Sequence, residues 1–231
     1  MSFVLNGLIS HCLANKKKLY CAFVDFKKAF DFIVRDNLWY KLIKIGIRGK
    51  MFNVIKSMYD CVKSKVKYDN TLSEEFSCML GVRQGECLSP FLFSMFLNDL
   101  EEELEIKGVE GIDLDFLNIA ILLYADDIIL FANSAEALQR SLGMLEDYCE
   151  KWKLTANTKK TKVMIFSNGG RISNQLSFKF ANETLEIVKQ FKYLGCVFTS
   201  GGSFSEMDKT LAGQSLKAIF KLNNYLIKFT T

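Results

Sequence analysis

The segment IAILLYADDIILFA, residues 119–132, places two apolar, β-prone runs on either side of Asp126 and Asp127. The runs 118–124 and 128–132 are typical of buried strands, and the short polar step between them predicts a hairpin with both carboxylates at its tip. Most Asp-Asp pairs in proteins are solvated turns. Because both flanks here are apolar enough to be buried, these carboxylates need a partner that offsets the cost of their desolvation.

A third carboxylate ends another apolar run. Residues 19–24, LYCAFV, predict a buried strand that leads directly into Asp25. If the two strands are neighbours in one sheet, Asp25, Asp126 and Asp127 meet at one end of it. Grouped carboxylates raise one another's pKa, whereas divalent cations hold them ionised. Oxygen ligands without nearby His or Cys favour Mg²⁺ or Mn²⁺, and two such ions can serve an in-line displacement at phosphorus.

The remaining segments add helices around these strands. The patterns predict helices over residues 2–14, 36–45, 50–62, 91–106 (with Ser89 as the N-cap ahead of Pro90), 134–153 (with Ser134 as the N-cap) and 203–228. They predict further strands over 64–68, 76–80, 161–166, 178–181, 185–188 and 192–199. This order of elements predicts an α+β fold, an antiparallel sheet with helices packed on one face.

Charge is distributed unevenly along the 231 residues. Residues 16–67 carry 14 basic and 4 acidic side chains (net +10), residues 69–150 carry 3 and 18 (net −15), and residues 151–231 carry 13 and 4 (net +9). Two basic regions around an acidic one suit a surface for a polyanion around a cation-dependent centre. The alternative is that most of these charges lie on solvated helix faces.

Composition excludes several other classes of protein. With 49% apolar and 24% charged residues the chain is globular, with one large domain or one domain and a small appendage. Seven Cys without a CxxC pair and a lone His11 argue against a disulfide framework and a zinc site. No signal peptide and no apolar run near 18 residues is visible, so no membrane association is expected.

Five stretches in order resemble the reverse transcriptase domain of non-LTR (LINE-type) retrotransposons. They are LYCAFVDFKKAFDFI (19–33), GVRQGECLSPFLFSMFLNDL (81–100), YADDIILFA (124–132), NTKKTKVMIF (157–166) and FKYLGCVF (191–198). The resemblance covers essentially the whole chain. It implies a polymerase palm-like antiparallel sheet with helices on one face, followed by a short C-terminal hairpin and a helix toward the thumb.

The resemblance also implies a catalytic metal centre. Asp25, Asp126 and Asp127 would be the catalytic residues and, with the backbone carbonyl of Phe26, would ligate two Mg²⁺ or Mn²⁺ ions. The implied reaction is transfer of a nucleotide from a dNTP to a primer 3′-OH, directed by an RNA or DNA template annealed to a DNA primer.

Residues that match the family's nucleotide-binding positions are Phe30, Gln84, Gly85 and Lys160. Phe30 would be a steric gate against the ribose 2′-OH, and Lys160 would lie near the triphosphate. Asp31 is expected to be structural. Taken without the resemblance, Phe30 is an ordinary core aromatic, and the other residues belong to a helix-entry turn and a solvated basic turn.

Residues that match primer- and template-binding positions of the family are Arg83, Tyr124, Phe191, Tyr193, Leu194 and Gly195. Without the resemblance, the last four would be a plain β-turn. One motif departs from the family: where members commonly have RQGDPLSP, this chain has RQGECLSP, with Glu86 in place of Asp and Cys87 in place of Pro.

We expect residues 1–182 to form a reverse transcriptase palm without the upstream fingers, and residues 183–231 to form a primer-grip-like hairpin and C-terminal helix. Three functions stay open: an RNA-directed DNA polymerase, a truncated and catalytically silent remnant that at most binds nucleic acid, and an unrelated α+β domain. Family analogy places the protein inside the cell, in cytoplasm, nucleus or both. The oligomeric state stays open.

Overall fold

A computed structural model describes residues 2–114, 117–169 and 176–202. Its helices are α1 (Ser2–Ala14), α2 (Ala29–Phe32), α3 (Arg35–Lys44), α4 (Gly49–Ser57), α5 (Leu88–Leu97), α6 (Leu100–Ile106) and α7 (Ala135–Trp152). Its strands are β1 (Leu19–Asp25), β2 (Lys63–Ser64), β3 (Lys67–Tyr68), β4 (Thr71–Leu72), β5 (Phe76–Ser77), β6 (Ile112–Leu114), β7 (Leu117–Ile119), β8 (Ile121–Tyr124), β9 (Asp127–Ala132), β10 (Lys162–Phe166), β11 (Phe178–Phe180), β12 (Glu183–Ile187), β13 (Gln190–Tyr193) and β14 (Cys196–Thr199). The helix predicted over 203–228 lies outside the described residues.

A six-stranded sheet in the order β11-β12-β10-β1-β9-β8 organises the molecule. Every neighbouring pair in it is antiparallel except β10 and β12, which run parallel. The sheet confirms the predicted α+β class and its mainly antiparallel pairing. β12 pairs with both β10 and β11, so the sheet continues past residue 182.

Side chains of β1 alternate between two apolar cores, one on each face of the sheet. Ala22 and Val24 belong to the core that also contains residues of α3 to α7, whereas Cys21 and Phe23 belong to the core formed with α1 and the β13–β14 hairpin. Most helices therefore share one face, as predicted. α1 is the exception, and it packs beside the hairpin on the opposite face.

The helical segment over residues 88–106 differs from the prediction in two places. Ser89 is not an N-cap: it is buried inside α5, whose N-cap is Cys87, and its hydroxyl donates to the Arg83 carbonyl. The predicted helix over 91–106 is two helices, because the chain turns at Asn98 and Asp99, and the carboxylate of Asp99 binds a lysine from α3.

Other predicted helix and strand boundaries also differ from the structure. The helix predicted to reach residue 62 ends at Ser57, and the strand predicted over 192–199 is the β13–β14 hairpin. Its turn contains Leu194 and Gly195, both with positive φ (46° and 82°). The hairpin predicted from strands 64–68 and 76–80 is present only in part: it consists of two short nested pairs, β2 with β5 and β3 with β4, and its last strand ends at Ser77. Among the described residues no helix is both long and apolar enough to cross a membrane.

Candidate active site

Two carboxylates face each other across the centre of the sheet. β1 and β9 are antiparallel neighbours, which is the condition under which the sequence brings the acids together, and Asp25 is the register partner of Asp127. Ala125 (φ +52°) and Asp126 form the tight turn between β8 and β9, so the third acid lies at the same end of the sheet. Because side chains alternate along a strand, Asp25 shares a sheet face with Phe23, the face that the β13–β14 hairpin covers.

The electrostatics of this end of the sheet favour a cation. Burial, followed by the charges of Asp126 and Asp25, raises the pKa of the Asp127 carboxyl above its ordinary value, and Lys160 partly offsets the rise. Oδ2 of Asp25 is buried and has no hydrogen-bond partner among the described residues. The Nζ atom of Lys160 lies 3.6 Å from that oxygen, an ion-pair distance too long for a hydrogen bond.

The oxygen ligands available at this end of the sheet are of the kind that a hard divalent cation prefers. The available ligands are carboxylate oxygens and one carbonyl, with no His or thiol beside them. Two backbone hydrogen bonds lie on either side of Phe26. Lys27 N–H donates to the Thr155 carbonyl, and Asn157 N–H donates to the Asp25 carbonyl. The carbonyl of Phe26 takes part in neither bond and lies outside the ladder. In the described part of the chain, no three His, Cys, Asp or Glu side chains form a group that could hold a metal ion. Asp25 and Asp127 are thus a pair, with Asp126 beside them in the turn.

A turn of residues 157–161 brings Lys160 to Asp25. The N–H groups of Lys160 and Thr161 both donate to the Asn157 carbonyl and close the turn. Asn157 N–H then donates to the Asp25 carbonyl at 2.7 Å, and the hydroxyl of Thr161 accepts from Asp25 N–H at 3.3 Å. Both backbone polar groups of Asp25 are therefore bound to the turn that carries Lys160.

A cavity of about 420 Å³ lies between the carboxylate pair and the β13–β14 hairpin. Phe191 and Tyr193 pack on Phe23, with ring centroids 4.6 Å and 5.6 Å apart, and these rings form an apolar floor. Burial, together with the charge of Asp127, raises the pKa of Tyr193 to about 12, so its hydroxyl stays protonated. The basic side of the cavity is lined by Lys159, Lys160, Lys162 and Lys192.

The predicted primer-binding residues differ in accessibility. Both Phe191 and Tyr193 belong to β13 of the hairpin. The Tyr193 side chain is buried and that of Phe191 is partly buried against Phe23, so both side chains anchor the hairpin on the sheet. Leu194 at the hairpin turn is exposed, and Tyr124 is 54% exposed at the end of β8, directly opposite Asp127. Of these predicted residues, Tyr124 and Leu194 are the ones open to a bound strand.

The predicted gate residue lines a second cavity, of about 490 Å³. Phe30 is partly buried and stacks on Phe93 at 5.0 Å, and it shares the cavity wall with Gln84 and Gly85. The amide of Gln84 donates to the carboxylate of Asp31 at 2.6 Å. The structure thus brings Phe30, Gln84 and Gly85 together, as expected of residues that share a ligand.

Arg83 is bound within the protein. Its guanidinium donates to Glu86 at 2.8 Å and to the Met58 carbonyl at 2.6 Å, and it lies over the Tyr59 ring. Glu86, which keeps a carboxylate at the position of the family's Asp, therefore holds Arg83 in place. Cys87, at the position of the family's proline, is exposed and keeps a proline-like φ of −62° as the N-cap of α5.

The sequence alone gives no contact for three residues in and around the site. It predicts Thr161 as the first residue of a strand, Phe23 as part of an apolar run, and Asp31 as structural. A signal exists for Thr161: a hydroxyl at the point where a basic turn enters a strand is placed to replace a lost backbone partner. The contact between Asp31 and Gln84 spans 53 residues, and no local pattern reveals it.

Known proteins are similar to this chain in sequence and in fold. A family model described as reverse transcriptase (RNA-dependent DNA polymerase) matches residues 2–198. The RNA-directed DNA polymerase from mobile element jockey of Drosophila funebris is 28% identical over 219 residues, covering 91% of this chain and 23% of that protein. The Pol polyprotein from type-1 retrotransposable element R2 of Nasonia vitripennis is 28% identical over 207 residues, covering 86% and 20%.

A solved structure supports the fold at lower identity. Apo telomerase from Candida tropicalis, truncated from its C-terminal domain, superposes with a TM-score of 0.60 at 15% identity, over 87% of this chain and 39% of that one. This chain spans less than a quarter of the length of the two relatives from jockey and R2. The family model nevertheless covers most of it, and the resemblance seen in the five motifs is confirmed: the chain belongs to the reverse transcriptase (RNA-dependent DNA polymerase) family.

Proposed function

We propose that this chain is the palm of an RNA-directed DNA polymerase, which transfers a nucleotide from a dNTP to a primer 3′-OH. The observation that carries the proposal is the juxtaposition of Asp25 and Asp127 on neighbouring strands, with Lys160 at 3.6 Å from Asp25. Paired carboxylates beside a lysine form a centre that accepts cations and a phosphate chain together. Family membership and the basic regions on either side of the acidic centre support the same reaction.

The carboxylates of Asp25 and Asp127 and the Phe26 carbonyl would hold two Mg²⁺ or Mn²⁺ ions. Asp126, in the turn between β8 and β9, would be the remaining carboxylate ligand. When bound, such ions supply activation of the primer hydroxyl and neutralisation of charge on the departing pyrophosphate. The unpartnered, buried oxygen of Asp25 and the raised pKa of Asp127 support this assignment, since both groups are stabilised by a nearby positive charge.

The protein's own side chains orient the substrates. Lys160 is placed to bind the triphosphate and to stabilise negative charge as the pyrophosphate leaves. The ring of Phe30 would exclude a 2′-OH from the cavity that it shares with Gln84 and Gly85. Leu194, Gly195 and Tyr124 would support the primer end from the two sides of the carboxylates.

A second candidate is a fragment that binds nucleic acid without catalysis. The observation in its favour is that Asp126 does not join Asp25 and Asp127 in a group of three ligands among the described residues. Such a fragment would bind single strands through basic and aromatic side chains, with strong salt dependence and little sequence preference. DNA synthesis on an RNA template separates the two candidates.

Divalent metal should stabilise the folded chain. Because the carboxylates repel each other without a counter-ion, millimolar Mg²⁺ or Mn²⁺ should raise the melting temperature, and Asp126→Asn or Asp127→Asn should reduce the rise. Differential scanning fluorimetry with and without EDTA measures the shift. Asp60→Asn, an exposed acid after α4, is the matched control. A wild-type chain whose melting temperature ignores both metals would contradict a metal site at these acids.

A further inference from the structure

We propose that Asp31 is a positioning residue for sugar selectivity, which holds Gln84 in place beside the gate residue Phe30. The inference rests on the proposed polymerase function. It gives Asp31 a role beyond the structural one expected from its place in the first motif.

The hydrogen bond between the two side chains is short and joins two motifs. Nε2 of Gln84 donates to Oδ1 of Asp31 at 2.6 Å, although both residues are exposed. A carboxylate can only accept, so Asp31 selects the NH₂ end of the Gln84 amide. The bond therefore fixes the orientation of the amide and leaves its carbonyl oxygen and second N–H for a substrate.

The backbones on either side of this bond are already locked together. Val82 N–H donates to the Phe30 carbonyl at 2.7 Å, and Gly81 N–H donates to the Ile33 carbonyl at 2.8 Å. Gly81 has a φ of +77°, and a Cβ there would lie 2.6 Å from the carbonyl oxygens of Phe30 and Asp31. Because the loop and the gate turn approach so closely, the side-chain bond forms at little further cost in conformational entropy.

Phe30 and Gln84 line the same cavity from these two segments. One face of the Phe30 ring is occupied by Phe93 at 5.0 Å, and the cavity wall continues through Gln84 and Gly85. Gly85 has a positive φ (86°), and a Cβ at this position would meet no atom within 4 Å. Among the described residues, the bond to Asp31 is the side-chain hydrogen bond that joins Gln84 to the segment of Phe30.

Loss of Asp31 should therefore widen the gate and leave the chemistry in place. Without its acceptor, the Gln84 amide can rotate away from Phe30, and a 2′-OH then meets less steric opposition. Asp31 does not bind Asp25, Asp127 or Lys160 in the described structure, so incorporation of dNTPs should continue. The predicted signature is a change in the ratio of deoxynucleotide to ribonucleotide use.

Single-nucleotide incorporation on one primer–template tests the proposal, with kcat/KM measured for a dNTP and for the matching rNTP. Asp31→Ala should lower the dNTP/rNTP ratio about tenfold, the effect expected for a hydrogen bond to a charged group. Asp31→Asn keeps an acceptor and should restore much of the ratio. Gln84→Ala also removes the groups that the amide offers to a substrate, so it should lower the ratio at least as far as Asp31→Ala, and the double variant should add little to Gln84→Ala alone. Asp36→Ala, an exposed acid in the first turn of α3, is the control.

Each outcome decides a separate point. If the wild-type chain incorporates dNTPs and the ratio of Asp31→Ala equals that of the Asp36→Ala control, the positioning role is wrong and the polymerase function stands. If the wild-type chain incorporates nothing, the proposed function falls and the inference falls with it. Should Asp31→Ala fail to fold, Asp31→Ser carries the test in its place, since its shorter side chain breaks the bond to Gln84 and leaves the Gln84 amide intact for the substrate.

Discussion

At the scale of single residues, the turn of residues 157–161 shows how neighbouring lysines differ. Lys160 reaches the carboxylate of Asp25 at 3.6 Å. Lys162 is held by Glu186 at 2.7 Å and by the Lys159 carbonyl at 2.6 Å. Lys160 in the turn is thus presented to the carboxylate pair, whereas Lys162, directly after the turn, holds this segment against β12. The basic composition of the motif alone would not distinguish them.

Lys160→Ala should lower the rate of nucleotide addition about 100-fold, because a cation aimed at developing phosphate charge is worth that much in comparable sites. Lys189→Ala, at an exposed lysine that does not line this cavity, is the matched control and should stay near the wild-type rate. Rapid-quench measurement of one dNTP addition gives both values. Equal effects of the two substitutions would remove Lys160 from the reaction.

The same variant should change the pH dependence. Asp127 must be ionised to bind a cation, and its raised pKa makes the rate fall with decreasing pH earlier than for an ordinary carboxyl. Lys160 lowers that pKa, so its removal should raise the pKa further and move the acid limb of the pH–rate profile to higher pH. A limb that stays in place or moves to lower pH would show that Lys160 does not act on Asp127.

At the scale of elements, the ladder between β1 and β10 is interrupted at the catalytic end. Regular pairing ends at Phe23 with Lys162, and pairing resumes at the bridge of Phe26 with Ala156. Between these points the chain loops out, and the hydroxyl of Thr161 takes the place of the missing backbone acceptor for Asp25. The interruption is what allows the strand end and the lysine turn to meet.

Thr161→Val should destabilise the fold by about 1–3 kcal/mol, because it leaves the part-buried Asp25 N–H without its acceptor and puts a methyl group where the buried Thr161 hydroxyl was. Thr161→Ser keeps the hydroxyl and should recover most of the loss, apart from the missing methyl group. Urea unfolding followed by circular dichroism measures both. Valine and serine variants of equal stability would show that the hydroxyl contributes nothing.

Sequence predicted the elements whose signals are local. The β8–β9 hairpin follows from two apolar runs, and Ser134 caps α7 by accepting from Ala137 N–H, as predicted. The sequence failed where a distant contact outweighs a local signal. Ser89 resembles a helix cap but its hydroxyl bonds to Arg83, and the helix over 91–106 breaks where Asp99 meets α3. The meeting of Asp25 with Asp127 follows from the sequence only if their strands are neighbours, and the long-range pairing of β1 with β9 meets that condition.

At the scale of the whole molecule, a buried polar cluster joins three helical segments behind the sheet. Lys41 of α3 is 1% exposed, and its Nζ donates to Asp99, to the Phe96 carbonyl and to the Tyr148 hydroxyl of α7. Burial lowers the pKa of Lys41 to about 8 despite the hydrogen bond and charge of Asp99. The amine also lies 3.9 Å from the centroid of the Trp152 ring. Nothing local in the sequence predicts this cluster, because its members lie far apart in the chain.

Asp99→Ala should destabilise the protein by about 3–5 kcal/mol, because it leaves the buried charge of Lys41 unpaired. The double variant Lys41→Met/Asp99→Leu removes both charges and should recover much of the loss. Urea unfolding at neutral pH measures the two variants, with Glu102→Ala on the exposed face of α6 as the control. A single variant as stable as the double variant would show that the pair is not coupled.

The most direct test of the proposed polymerase is DNA synthesis by the purified chain on an RNA template with an annealed DNA primer. The assay is run with Mg²⁺ and separately with Mn²⁺, beside the Asp126→Asn/Asp127→Asn variant and a parallel measurement of primer–template binding. We predict extension by the wild-type chain and none by the variant, with binding retained in both. Bound primer–template without extension by the wild-type chain would contradict the catalytic proposal and favour the fragment that only binds nucleic acid.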